Sequence, residues 1–251
     1  MSEQQPIMLI TGASRGIGRA TALLAARQGY SIGINYHSNT AAANSVAEQC
    51  QRLGARTTLI QADVADASAI AKMFDHLDKE LCTIDVLINN AGILEQCMRL
   101  DEMSADRIAR IMNTNVTSVL LCAQQAVKRM STIHGGRGGN IVNVSSRASV
   151  LGSAFEFVDY AASKGAVDTF TTGLANEVAN EGIRVNAVRP GLIETDIHAS
   201  GGKPDRVSSL KHHVPMRRGG SAEEVANAIL WLASDLASYS TGSFIDVSGG
   251  R

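Results

Sequence analysis

A glycine-spaced octet, Thr11-Gly12-Ala13-Ser14-Arg15-Gly16-Ile17-Gly18, lies between the apolar run Ile7–Thr11 and a stretch of helical spacing, Ile17–Gln28. Nothing else in the sequence constrains the fold as strongly. Between a first strand and a helix, Gly12 permits a tight turn, Gly16 lets the backbone approach a ligand closely, and Gly18 lets the helix lie against the sheet. The helix N-terminus then offers unpaired N–H groups and the positive end of its dipole, which suits a pyrophosphate. A glycine triplet alone is a weak signal; one set between strand and helix is much stronger.

The same alternation continues downstream. Ser31–Tyr36, Thr57–Gln61, Val86–Asn89, Asn140–Ser145, Arg184–Arg189 and Ser243–Val247 read as strands. Between them, helical spacing covers Thr40–Leu53, Ala67–Leu81, a long stretch from the cap Ser104 to Met130, Asp159–Ala179 and Ala222–Ser234. The strands are apolar throughout, as a sheet covered on both faces requires. The sequence therefore predicts an α/β fold. It is a single Rossmann-type, doubly wound, parallel seven-stranded sheet with helices on both faces, one domain over residues 1–251. That length suits one such domain. The exception is 190–221, polar and Gly-rich, which predicts an irregular lid over the substrate.

Composition removes several functions. Lys and Arg number 23 and Asp and Glu 24, a net charge of −1 that argues against a nucleic-acid partner. The Gly135–Gly139 stretch resembles an RGG unit, but it occurs once in a near-neutral chain and reads as a turn. Hydrophobic residues at 45% and charged residues at 19% exclude a disordered chain. No apolar stretch approaches the roughly 18 residues of a membrane span. The polar start, Met1-Ser2-Glu3-Gln4-Gln5-Pro6, carries no apolar signal region, so a cytoplasmic protein is expected. Cys50, Cys82, Cys97 and Cys122 form no C-x-x-C pair and read as spectator thiols. No H-E-x-x-H occurs, and the adjacent His212 and His213 point apart on a helix, so no protein-bound metal is expected.

The end of the second strand should meet the adenosine ribose. An acid there would bond the 2′-hydroxyl and favour NAD. The sequence instead reads Asn35-Tyr36-His37-Ser38-Asn39, leaving Tyr36, Ser38 and Asn39 as candidate contacts. Arg15, inside the glycine turn, can pair with a 2′-phosphate. NADP(H) is therefore the expected cofactor, with NAD(H) left open.

Tyr160 and Lys164 stand at i and i+4 on a helix and share a face. A free tyrosine ionises near pH 10. A neighbouring ammonium is expected to lower that value and make the pair a general acid/base. Ser145 and Ser146 end the fifth strand, at the sheet edge where ligands bind in open α/β folds.

With these motifs in order, the chain resembles a classical short-chain dehydrogenase/reductase over essentially its whole length. The matches are Thr11–Gly18, Asp63-Val64, Asn89-Asn90-Ala91-Gly92, Asn115, Ser146, Tyr160-x-x-x-Lys164, Pro190-Gly191 with Thr195, and a C-terminal Thr241-Gly242 followed by Asp246-Val247-x-Gly249-Gly250. The resemblance implies that Tyr160 is the acid or base at the carbonyl oxygen. Lys164 would lower its pKa and hold the nicotinamide ribose. Ser146 would bond the substrate oxygen, and Asn115, disturbing the long helix, would position a water. Gly12, Ser14, Arg15, Gly16, Ile17 and Gly18 would form the phosphate turn. Asp63 and Val64 would lie at the adenine, Asn89, Ala91 and Gly92 along the adenosine side, and Pro190, Gly191, Ile193 and Thr195 at the nicotinamide and phosphate.

The implied function is an NADP(H)-dependent carbonyl reductase or alcohol dehydrogenase, with hydride passing directly between nicotinamide and carbonyl carbon. Three alternatives stay open: a sugar or polyol dehydrogenase, a 3-oxoacyl-thioester reductase, and a dinucleotide-sensing protein without turnover. Similar enzymes are homotetramers joined through the long helices and the C-terminal strand. A small-molecule substrate would sit between the lid, Leu192–Met216, and the loop Leu151–Val158.

That loop departs from the family pattern. Ser146 precedes Tyr160 by fourteen residues instead of thirteen, which places one extra residue in it. Phe155 or Phe157 would either wall the substrate pocket or pack beneath the loop. Asp159 would cap the helix that carries Tyr160. Arg189 would meet a neighbouring acid in preference to an anionic substrate.

Overall fold

The computed structural model describes residues 5–251; the polar N-terminal reading over 1–4 lies outside them. Seven parallel strands form one sheet: β1 (Ile7–Ile10), β2 (Ser31–Tyr36), β3 (Thr57–Gln61), β4 (Val86–Asn89), β5 (Gly139–Val144), β6 (Ile183–Pro190) and β7 (Phe244–Val247). Their order is β3-β2-β1-β4-β5-β6-β7. The chain works outward from β1 in one direction, then crosses back and works outward in the other. The crevice between β1 and β4 is therefore the topological switch point, where ligands bind in such sheets.

Alternating side chains on each strand feed two cores, because successive Cβ atoms point to opposite faces. Met8, Ile10, Ile32, Ile34, Val86 and Ile88 meet α1 (Gly16–Arg27), α2 (Thr40–Arg52) and, further along the chain, the helix Ala222–Ala233. Ile7, Leu9, Leu87, Ile141, Ile183 and Val185 meet α3 (Ala67–Glu80) and the helices Ser118–Met130 and Val158–Val178 on the other face. Asp66 caps α3 by accepting from the Ser68 N–H at 2.8 Å.

The long helix expected from Ser104 to Met130 is divided. It runs as α4 (Ala105–Met112), a π-turn at Asn113–Thr117 and α5 (Ser118–Met130). The Asn115 side chain accepts from the Ile93 N–H at 2.8 Å and donates to the Ile93 carbonyl at 3.0 Å. These two bonds hold the residue where an α-turn would not, and the extra residue per turn follows.

After α6 (Ala148–Leu151) and α7 (Val158–Val178), the region 190–221 is more ordered than the sequence indicates. It carries α8 (Ile197–Ser200), α9 (Arg206–Leu210) and a 3₁₀ turn at Lys211–His213, and Ile193 bridges Gly220. Helices of four and five residues are too short to leave a periodic signal. The last helix, α10 (Ala222–Ala233), begins with a capping box between Ser221 and Glu224.

Candidate active site

A cleft of about 1080 Å³ opens along the C-terminal edge of the sheet at the switch point. It exceeds the roughly 300–1,000 Å³ of an ordinary small-molecule pocket.

The glycine turn forms one end. Gly12 has a φ of +64°, a left-handed conformation that side chains resist. Its N–H donates to Asn35 Oδ1 at 3.1 Å. Asn90 Nδ2 donates to the carbonyls of Thr11 and Gly12 at 2.8 and 3.0 Å. Gly18 lies beneath, buried: a Cβ there would stand 2.5 Å from the Gly12 carbonyl oxygen. Its role is to let α1 close on the turn, and it is not part of the cleft wall. Asn90 stands in the Asn89–Gly92 motif and Asn35 at the end of β2, but neither was assigned a role from the sequence. Their signal was an amide near the end of an apolar strand and another just past a strand end; Asn35 is buried and also donates to the Ile60 and Ala62 carbonyls, while Asn90 is half-buried.

Ser14, Arg15, Gly16 and Ile17 line the same end, with Tyr36, Ser38 and Asn39 beside them. Arg15 is exposed and has no ion-pair partner among the described residues. Asn39 also caps α2, accepting from the Ala42 N–H at 3.0 Å. Asp63 and Val64 line the wall opposite, with Asp63 3.8 Å from His37. Ala91 and Gly92 follow on the floor. Asn89 lies below it, 3% exposed, donating to Asn143 Oδ1 at 2.9 Å.

The other end gathers Ser146, Tyr160 and Lys164, with Pro190, Gly191, Ile193 and Thr195 above them. Lys164, buried, donates through Nζ to the Val144 carbonyl at 2.7 Å and lies 5.7 Å from the Tyr160 ring centre. Asn115 is fully buried and reaches α7 through Nδ2, which donates to Ser163 Oγ at 3.2 Å. Gly92 fills the gap between Asn115 and Lys164; a Cβ on it would contact both. Ser145 and Ser146 separate cleanly. The Ser145 hydroxyl is buried and donates to the Lys164 carbonyl at 3.2 Å, whereas Ser146 is half-buried and faces the cleft.

The electrostatics differ from the sequence expectation. Burial pushes Tyr160 up to about 12, and only a hydrogen bond with Ser146 opposes it. Lys164 does not lower it, because its ammonium is turned to the Val144 carbonyl. Burial instead brings Lys164 down to about 8, with Asp168 opposing.

The variant loop supplies part of the wall. Ser153 and Phe155 have φ values of +47° and +63°, so the extra residue is accommodated with left-handed backbone. Phe157 is buried and lines the cleft. Phe155 does not: it is 73% exposed, beneath Arg99. Asp159 is not the cap of α7. It lies inside the first turn and pairs with Arg107 in the interior. Arg189 pairs with Asp168 at 2.9 Å and stacks on Phe244, outside the cleft. Glu156, His198 and Arg206 also line the substrate end. The sequence left them unmarked, since the lid's fold over the loop decides their meeting. Among the described residues no cluster of metal-ligating side chains occurs, all four cysteines are free, and no helix is long and apolar enough to cross a membrane.

A family model described as enoyl-(acyl carrier protein) reductase matches residues 12–251. The uncharacterized oxidoreductase YgfF of Escherichia coli is 55% identical over 245 residues, 98% of this chain and 99% of the relative. The 3-oxoacyl-[acyl-carrier-protein] reductase FabG of Staphylococcus aureus is 37% identical over 244 residues, 96% of each chain. A short chain dehydrogenase from Burkholderia cenocepacia, solved in complex with NADP, superposes with a TM-score of 0.90 at 30% identity, covering 99% of both chains.

Proposed function

This chain belongs to the classical short-chain dehydrogenase/reductase family, oxidoreductases acting on CH–OH and C=O groups, and from that premise we propose that it is an NADP(H)-dependent carbonyl reductase with Tyr160 as general acid. The observation that supports this reading is the meeting of Ser146, Tyr160 and Lys164 at one end of a single cleft whose other end is the glycine turn. Burial raises the pKa of Tyr160, so its hydroxyl carries a proton at neutral pH, as a donor to a carbonyl oxygen must.

The residues fit a dinucleotide. Gly12 and Gly16 leave bare backbone at the start of α1, and Arg15, its cap residue, makes no side-chain bond to the helix. The phosphate turn then comprises Gly12, Ser14, Gly16 and Ile17. Arg15 pairs with a 2′-phosphate beside Tyr36, Ser38 and Asn39; what supports the preference for NADP(H) is this unpaired cation and the lack of an acid at the end of β2. Asp63 and Val64 lie at the adenine, Ala91 and Gly92 at the ribose, and Pro190, Gly191, Ile193 and Thr195 at the nicotinamide. The cofactor supplies the hydride when bound.

The chain's own residues handle the proton. Tyr160 gives it to the carbonyl oxygen while Ser146 donates a hydrogen bond to the same atom, stabilising charge as it develops. Lys164 holds ribose hydroxyls through the ammonium that also donates to the Val144 carbonyl. Asn115, locked between Ile93 and Ser163, fixes the π-turn behind them and orients a water for reprotonation.

One domain carries both cofactor and chemistry in this reading. Exposed apolar side chains on the long helices and near the C-terminus, Ile108, Leu120, Trp231, Leu236 and Tyr239, support a homotetramer. Four free cysteines suit the cytoplasm. A second reading, a 3-oxoacyl-thioester reductase, rests on the Staphylococcus relative. The test is NADPH against NADH oxidation, followed by absorbance with aldehydes, ketones, diketones and keto-esters, with Tyr160→Phe as control. Turnover faster with NADPH and lost in the variant is expected. Cofactor binding without turnover of any carbonyl or alcohol would overturn the reading.

A further inference from the structure

The loop 151–158 and the lid meet through one acid and two cations. Glu156 accepts from Lys203 Nζ at 2.7 Å and from Arg206 at 2.6 Å, one cation on each carboxylate oxygen. The cluster is therefore left with one net positive charge. It stands at the substrate end of the cleft, whose wall Glu156 and Arg206 both join. The other acid on that wall, Asp196, is exposed and pairs with neither cation.

Arg206 is held tightly. Its side chain is 12% exposed and its guanidinium lies 5.2 Å from the centre of the buried Phe157 ring. Yet Nη1 is buried with no hydrogen-bond partner among the described residues. Folded proteins rarely leave a buried charged donor unmatched, so an unmet one calls for an explanation. Nearby His198 has an unmatched atom of the opposite kind, an acceptor that a carboxylate could not use. Its Nε2 contacts the Ile193 carbonyl at 2.8 Å, and a carbonyl only accepts, so Nε2 carries the hydrogen. Burial and Arg206 both disfavour the charged ring. Nδ1 is then a bare acceptor, and it too lacks a partner.

We propose that Arg206 is the specificity-determining residue of this site and that the substrates are carbonyl compounds bearing a carboxylate, which its guanidinium receives. Glu156 and Phe157 position Arg206: the acid holds Nη2, the ring lies beside the guanidinium, and Nη1, closed off from solvent, is the donor that a carboxylate entering between loop and lid would meet. The planar guanidinium suits a carboxylate better than a lone ammonium does. This assignment rests on the carbonyl-reductase reading for its reaction and on the lid geometry for its chemistry.

The test compares straight-chain oxo acids with their methyl esters. The oxo group is moved along the chain from carbon 2 to carbon 5, and kcat and KM are measured separately. Binding of pentanoate and pentanamide to the NADPH-loaded protein is followed in parallel by saturation-transfer NMR. The native protein should prefer one acid over its ester by at least about tenfold, the scale of one charged hydrogen bond. Arg206→Gln should erase that preference through KM, and Arg206→Lys should restore part of it. Glu156→Gln separates recognition from mere lid bracing. If Arg206 only braces the lid, Glu156→Gln and Arg206→Gln behave alike, and the proposal fails. If Arg206 receives the substrate, Glu156→Gln keeps or strengthens the preference for acids. Esters turned over as well as acids would also overturn it, with the reductase reading intact. Should no carbonyl be reduced, the reductase reading falls by itself and the binding data decide here. Pentanoate binding lost in Arg206→Gln supports the assignment, and equal binding of acid and amide refutes it.

Discussion

Arg107 and Asp159 form an ion pair in the interior, Nε to Oδ2 at 2.8 Å, with side chains 5% and 2% exposed. Asp159 is the neighbour of Tyr160 and also accepts from its backbone N–H at 2.9 Å. Arg107 is further tied to the Gln96 carbonyl at 2.6 Å. The pair thus joins α4, the segment after β4 and the first turn of α7 at the point where the candidate acid is mounted.

Removing one partner leaves the other charge buried alone. Arg107→Met should destabilise the fold by about 3–5 kcal/mol, whereas the double variant Arg107→Met with Asp159→Leu should recover much of that loss. Urea midpoints at constant slope give the comparison. A single variant as stable as the native protein would show that the pair is not desolvated.

Tyr160→Phe removes the proposed proton donor and leaves the ring. Carbonyl reduction should fall by at least about 10²-fold, the lower range for general acid catalysis, while NADPH affinity changes little. Single-turnover absorbance and a fluorescence titration of NADPH separate the two effects.

The pH profile of reduction should be set by Lys164. Its folded value of about 8 is below the ordinary 10.5, so it loses its charge as the pH rises past about 8. Tyr160, raised to about 12, still holds its proton there. Reductive kcat/KM should therefore be level near neutrality and decline above about pH 8. A profile flat to pH 10 would assign the charge elsewhere.

Arg15→Ala should narrow the preference for NADPH over NADH by about 10-fold to 100-fold, the discrimination one hydrogen bond to a charged group supplies. The ratio of kcat/KM values with the two cofactors is the readout. An unchanged ratio would move recognition of the 2′-phosphate to another group.

Gly18→Ala would put a methyl 2.5 Å from the Gly12 carbonyl oxygen, and backbone cannot swing aside as a side chain can. A loss of about 1–3 kcal/mol is expected, together with weaker cofactor binding, because the displaced atoms belong to the turn itself. Thermal melts with and without NADPH measure both.

The glycine turn, the strands and the Tyr160–Lys164 pair were legible because each depends on near neighbours: a spacing of three glycines, unbroken apolar runs, an i to i+4 relation. The π-turn was legible only as a disturbance at Asn115, since its cause, the Ile93 backbone, is 22 residues away. The ionisation of Tyr160 was misjudged for the same kind of reason. The sequence puts an ammonium beside a phenol, but it does not say that Lys164 turns to Val144.

Sequence by itself determined the alternating α/β order, the glycine turn, and the residue types that can move a proton, all encoded in local spacing and side-chain chemistry. Tertiary structure alone decided which serine faces the cleft, that Asp159 answers Arg107, that Phe157 and not Phe155 forms the wall, and that Glu156, His198 and Arg206 meet at the substrate end. Those choices depend on contacts between segments tens of residues apart, and only the closed fold, with its close-packed interior, brings such segments within reach of one another.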